Sequence, residues 1–194
     1  VPLRPRYRAH IDGVTPTRLY THNYSVEAIN NQQLEALEGE SETYAMESLG
    51  PATLVDALTR SCLAPAELTL KLGAVVMCVK NNFEKGYVNG TLGSVIDFDD
   101  GMPVIETKDG IEIALAPETW SINEDGVALA EIAQIPLRLA WAITVHKSQG
   151  MSLDAAEIDL SKSFVPGMGY VALSRVRTID GLRLMGLNDK ALEV

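Results

Sequence analysis

Cysteine is nearly absent: Cys62 and Cys78 are the only two in 194 residues, far apart and each among apolar neighbours. They form no C-x-x-C pair, so they read as core residues of a reducing compartment and argue against a zinc site. His10, His22 and His146 show no metal-ligand spacing, and no metal ligand is assigned. No apolar run approaches the length of a membrane span, and the opening VPLRPRYRAH carries no apolar signal region. No methionine opens the chain, which reads as a piece of a longer protein. Positive charge is in short supply: a net charge of −10 argues against a generally basic nucleic-acid surface. There is no internal repeat and no low-complexity segment. Nor is there a Gly-Lys-Ser/Thr anywhere, so the glycine-rich loop that cradles phosphates through its backbone N–H groups is missing.

What is present suits one compact domain or two small ones, 46% hydrophobic and 22% charged, with enough apolar content for a real core. The charge is uneven. Residues 68–135 hold 11 acidic and 4 basic residues, while the remainder holds 15 and 12. A nucleic-acid face therefore lies mainly outside 68–135, or depends on hydroxyl, amide and backbone donors, which also contact phosphates.

Three textures follow one another. TRLYTHN (17–23) reads as a short strand, and SVEAINNQQLEAL as a helix capped by Ser25, with Val26, Ile29, Leu34 and Leu37 on one stripe and Gly39 at its end. ESETYAME reads as a loop and ATLVDALTRS as a second short helix. From residue 68, LTLKLGAVVMCVKN, GSVIDF, MPVIETK and IEIALAP are strand-like and separated by turn signals at 89–90, 99–101 and 109–110. Short strands joined by tight turns predict a small β-barrel or curled sheet. After Pro136, LRLAWAITV and AAEIDL are strands, GMGYVALSRVR a helix and GLRLMGL a final strand. Strands alternating with helices predict a parallel sheet. The architecture is thus an α/β domain, residues 1–66 plus 137–194, with a β module, residues 68–135, inserted in it.

Three clusters carry chemistry. In ITVHKSQGMSLD, Thr144, His146, Lys147, Ser148 and Gln149 crowd a strand end, where open α/β sheets bind ligands, and Gly150 permits close approach. Hydroxyls and an imidazole N–H can donate to phosphate; an ordinary polar loop is the plain alternative. In YVALSRVR, Arg175 and Arg177 sit two apart on the expected helix and so point to different faces. One can reach a ligand while the other pairs with a surface acid; two solvated arginines are the alternative. THN at 21–23 precedes a helix N-terminus, which attracts phosphate, although capping alone explains it. Lys80, Asn81 and Asn82 could face nucleic acid, but turn chemistry explains them nearly as well.

The ordered set of ITVHKSQGMSLD and YVALSRVR, with GAVVMCVKNNFEKGYVNGTLGSVIDF and RLYTHNYSVEAIN before them, resembles superfamily 1 DNA helicases of the Pif-type and RecD-like branch. The resemblance runs from about residue 17 to 187. It implies the C-terminal half of such a helicase: a second RecA-like motor domain (P-loop NTPase-like) carrying an inserted SH3-like barrel, acting on DNA 5′ to 3′. It implies that Thr144, His146 and Lys147 lie along single-stranded DNA, with Thr21 and Asn23 more weakly at a DNA phosphate. It further implies that Gln149 and Gly150 lie near the nucleotide, Gln149 with a catalytic part, and that Arg175 reaches the γ-phosphate as an arginine finger. ATP and Mg2+ would serve the full-length protein, with neither held tightly by this chain alone. The implied partners are single-stranded DNA and an upstream first RecA-like domain, with no membrane. The implied location is cytoplasmic, bacterial or phage-like, or nucleoid-associated. Two alternatives stay open: a non-enzymatic interaction module without an ATPase half, and the helicase part of an exonuclease or relaxase.

Overall fold

In a computed structural model of the chain, the described residues are 17–20, 23–107, 109–153, 155–161 and 167–193, without the side chains of 23–25 and 192. The elements run β1 (Thr17–Tyr20), α1 (Asn23–Glu35), β2 (Glu42–Ala45), β3 (Glu47–Leu49), α2 (Ala52–Ser61), β4 (Glu67–Leu70) and β5 (Val75–Cys78). They continue with β6 (Leu92–Asp99), β7 (Met102–Thr107), β8 (Glu112–Ala114), β9 (Glu118–Glu124), β10 (Val127–Gln134), β11 (Leu137–Leu139) and β12 (Ala142–Thr144). Last come β13 (Ala156–Leu160), α3 (Met168–Leu173), β14 (Leu182–Leu187) and two 3-10 turns, Ile179–Gly181 and Asp189–Leu192. No described helix is long and apolar enough to cross a membrane.

The expected parallel sheet is present, with strand order β12-β1-β13-β14. Its registers align Ile143, Leu19, Ile158 and Leu184 in one row across the sheet. That row packs with Ala172 of α3 into one core cluster, because alternate residues of a strand share a face. The neighbouring row carries Arg18, Glu157 and Arg183. Glu157 there lies 3.4 Å from the Arg18 Nε and 3.8 Å from the Arg183 Nη1.

The inserted barrel-like part is antiparallel, as expected. Its main sheet has the order β11-β5-β6-β7-β8, and a three-stranded sheet β3-β10-β9 and the pair β2-β4 accompany it. A register shift at Val95–Asp97 in β6 supplies the bulge that curls such sheets. Val76, Cys78, Val95, Ile105, Ile113 and Leu137 form the interior with Leu68, Leu70 and Tyr87.

Several elements differ from their sequence reading. ESETYAME is not a loop: it supplies β2 and the first residue of β3, strands that pair with β4 and β10. Most of its residues are exposed, so no burial alternation marked it. Helix α2 packs on this part through Leu58, in a cluster with Ala130 and Ile132. Antiparallel pairing thus extends from Glu42 to Leu139. The apolar run LRLAWAITV is not one strand. Its first half, β11, pairs antiparallel with β5, and its second half, β12, pairs parallel with β1. Trp141, between them, packs against the cores of both parts. The β9–β10 hairpin turns through Asp125 and Gly126, both at positive φ, and its strands are not among those expected from the sequence. Helix α1 starts at Asn23, so Ser25 lies in its first turn rather than capping it.

Candidate nucleotide and nucleic-acid interface

Beyond β12 the chain tightens at once. The Lys147 N–H donates to Thr144 Oγ1 at 3.2 Å, and the Ser148 N–H to the Thr144 carbonyl at 3.0 Å. Ser148 Oγ donates to the Val145 carbonyl at 2.7 Å, and the Met151 N–H to the Ser148 carbonyl at 3.1 Å. A hydroxyl accepting from the N–H three residues on is capping chemistry. Thr144 and Ser148 are therefore spent on shaping the turn, at 3% and 0% exposure. His146, Gln149 and Gly150 are exposed, and Lys147 is half-buried. The resemblance sets Thr144 along DNA; in this structure its hydroxyl faces the turn that presents His146 and Gln149.

The ALSR segment is tied to Leu153, just beyond that turn. Helix α3 ends at Leu173, so Arg175 stands in the turn after it rather than on the expected helix. Val176 forms a parallel bridge with Leu153. The Leu153 N–H donates to the Arg175 carbonyl at 2.7 Å, and the Arg177 N–H to the Leu153 carbonyl at 3.0 Å. Past Leu173 the backbone of Arg175 and Arg177 bonds to Leu153, which is fully buried, instead of continuing the helix. Arg175 folds back: its Nε donates to the Val171 carbonyl and its Nη2 to Ser174 Oγ, both at 3.0 Å. A cation on the last carbonyls of a helix meets the negative end of its dipole.

Lys147 lines a cavity of about 620 Å³ together with α1, the end of α2, residues 62–69 and Arg138. Burial lowers the Lys147 pKa, and the nearby Arg138 charge lowers it further, with Glu27 partly offsetting. Burial also lowers the Arg138 pKa, against Glu27. The Arg138 Nε is buried without a partner among the described contacts. Sequence reading missed Arg138 because its neighbours Leu137 and Leu139 made the run look uniformly apolar. Charge alternating with leucine in a strand was the signal available.

Lys80 and Asn82 turn out to be internal structure. Asn82 Nδ2 and the Tyr87 hydroxyl donate to Glu118 Oε1 at 2.7 and 3.0 Å. Lys80 Nζ lies 3.5 Å from Glu118 Oε2, donates to the Thr119 carbonyl and sits 4.8 Å over the Trp120 ring. Asn81 Oδ1 accepts from the Asn89 N–H. Thr21 lies outside the described residues, and Asn23 opens α1 without a described side chain.

Comparison with known proteins places this arrangement. Residues 53–98 match the 2B domain of the DNA helicase Pif1. The ATP-dependent DNA helicase Pif1 of a Psychrobacter species is 41% identical over 93% of this chain and 35% of its own length. Over nearly its whole length the chain is similar to one part of Pif1 helicases. Unliganded Pif1 from a Bacteroides species superposes with a TM-score of 0.81 at 32% identity, over 95% of this chain and 44% of that one. Bacteroides Pif1 in complex with ADP-AlF3 and single-stranded DNA gives 0.66 at 32% identity, over 99% and 45%. The chain thus spans about a third of the curated Pif1 relative and less than half of each solved Pif1 chain.

Proposed function

We propose that this chain is the C-terminal part of an ATP-dependent DNA helicase. In this reading it supplies a second RecA-like motor domain and its inserted barrel, and the parent moves 5′ to 3′ on single-stranded DNA. The observation that carries the reading is the Leu153–Val176 bridge, which ties the stretch just after the turn bearing His146, Lys147, Gln149 and Gly150 to the segment bearing Arg175. A loop tied in this way can report the state of one ligand to the residues that meet another. The relatives named ATP-dependent DNA helicases, and the Bacteroides structure with ADP-AlF3 and single-stranded DNA, support both ligand classes.

His146 and Lys147 would meet phosphates of the strand, with Arg138 close to Lys147. Gln149, Gly150 and Arg175 would face a nucleotide held between this domain and an upstream first motor domain carrying the Gly-Lys-Ser/Thr that this sequence lacks. Arg175 would leave the Val171 carbonyl to stabilise charge on the γ-phosphoryl group. Thr144 would act by holding the turn. Among the described residues no three acidic, histidine or cysteine side chains converge, so none is assigned to magnesium.

The test replaces His146 and, separately, Lys147 by Ala in the full-length protein and measures single-strand affinity against salt, with DNA-stimulated ATP hydrolysis. Weaker binding or uncoupled hydrolysis is expected. Unchanged affinity, salt dependence, hydrolysis and unwinding in both variants overturn the DNA-facing assignment.

A further inference from the structure

The asparagine–glycine pair at 89–90 explains itself as turn chemistry, but only in part. Gly90 has φ +96°, a conformation that favours glycine. It is also pressed against the segment that follows the candidate loop. A Cβ on Gly90 would lie 3.0 Å from the Ser152 carbonyl oxygen and 3.3 Å from both the Ser152 nitrogen and Met151 Cβ. Gly86, in the same connection, has φ +81° and would meet nothing within 4 Å. One glycine answers to backbone conformation alone; the other answers to conformation and to a contact between the barrel and the α/β sheet.

Both sides of that contact are braced. The Gly90 N–H donates to the Cys78 carbonyl at 2.8 Å, and the Val88 N–H donates to Thr91 Oγ1 at 3.0 Å. Asn82 and Tyr87 exchange backbone hydrogen bonds at 2.9 and 3.1 Å, and the Tyr87 hydroxyl is held by Glu118. Opposite, Met151 is buried and Leu153 is bonded on both sides to the backbone of Arg175–Arg177. Packed backbone transmits displacement because close-packed interiors have little slack.

We propose that Gly90 is a positioning residue: the turn 88–91, seated on Met151 and Ser152 through Gly90, sets the placement of Gln149–Gly150 on one side and of Arg175 on the other. The nucleotide part of this proposal rests on the function proposed above. A shift of the barrel then moves the nucleotide-facing groups without touching them.

The experiment has two arms. In the chain itself, amide NMR shifts of Gly90→Ala and Gly86→Ala are compared. Gly90→Ala is expected to move amides of 149–153 and 175, while Gly86→Ala, which carries only the conformational strain, leaves them in place. In the full-length protein, Gly90→Ala is expected to lower kcat for ATP by at least about tenfold with a smaller change in KM, within the roughly 10²-fold that a 1 Å misplacement far from the chemistry can cost. Gly86→Ala is expected to leave kcat near wild type. If Gly90→Ala does not fold, Thr91→Ala loosens the same turn without adding atoms and should move the same amides and kcat less strongly. Unmoved amides at 149–153, or an unchanged kcat, overturn the proposal. The NMR arm needs neither ATP nor DNA, so its outcome is independent of whether the helicase reading survives.

Discussion

The Asn30 side chain occupies the place of a neighbouring strand for Ala142. Its Nδ2 donates to the Ala142 carbonyl and its Oδ1 accepts from the Ala142 N–H, both at 2.9 Å. β12 is an edge strand, paired to β1 on one side, and Ala142 is fully buried. Water therefore does not satisfy its outward backbone groups. Asn30→Ala strands both, at about 1–3 kcal/mol for each unpaired buried group. The expected loss is about 2–6 kcal/mol, read from urea midpoints. Asn30→Asp is expected to do no better, since it sets a carboxylate against the Ala142 carbonyl. A midpoint unchanged by either variant would show that the edge finds other partners.

Gly169 and Ala191 set a second limit. A Cβ on Gly169 would lie 2.0 Å from the Ala191 carbonyl oxygen, so helix α3 cannot keep its seat on the 3-10 turn Asp189–Leu192 with any larger residue. Gly169→Ala is expected to cost about 3 kcal/mol or more and to open the chain near 189 to limited proteolysis. Equal protection in variant and wild type would contradict this.

Glu118 predicts a pH dependence. Burial pushes its carboxyl up, but hydrogen bonds from Asn82 and Tyr87 and the Lys80 charge outweigh burial and hold it below the ordinary 4.5. A carboxyl depressed in the folded state contributes stability above its unfolded pKa, and this is lost as pH falls through the folded one. Wild type is expected to lose stability on acidification below about pH 4.5. Glu118→Gln is expected to be less stable at neutral pH and to show a shallower acid slope. Parallel pH–stability curves for the two proteins would rule this out.

Arg175 tests the nucleotide side. Trans-acting arginine fingers contribute about 10³–10⁵ in rate, so Arg175→Ala in the full-length protein is expected to lower ATP hydrolysis by at least about 10²-fold. Single-strand binding without nucleotide should change little. Lysine keeps charge but not the two-pronged fork, so Arg175→Lys should not rescue fully. Arg177→Ala is the control and should do much less. Hydrolysis near wild type in Arg175→Ala, or a larger loss from Arg177→Ala, would remove Arg175 from the role.

What was legible in the sequence had local causes. Helix α2 spans Ala52–Ser61, the whole of ATLVDALTRS, because its apolar spacing is helical. β13 and β14 were readable from compact apolar runs, and the parallel sheet from the alternation of strands with helices. The crowding of polar residues at 144–150 was plain, as was the family pattern they resemble. The sequence alone could therefore say which residues carry chemistry and which class of fold holds them.

Tertiary structure decided which neighbours those residues have. One apolar run, 137–144, was divided between two sheets, since hydrophobicity records that a strand is buried but not which strand lies beside it. β2 and β3 became strands by lending hydrogen bonds to partners, with hardly a buried side chain to announce them. Arg175 stands outside its helix, where Leu153 pairs with the following residue. Asn30 completes a strand 112 residues away, and Gly90 is glycine partly because Ser152 is there. Periodicity is set by a residue's own element, whereas pairing, close approach and the division of polar groups into turn-formers and ligand-facing groups are set by whatever the chain brings alongside.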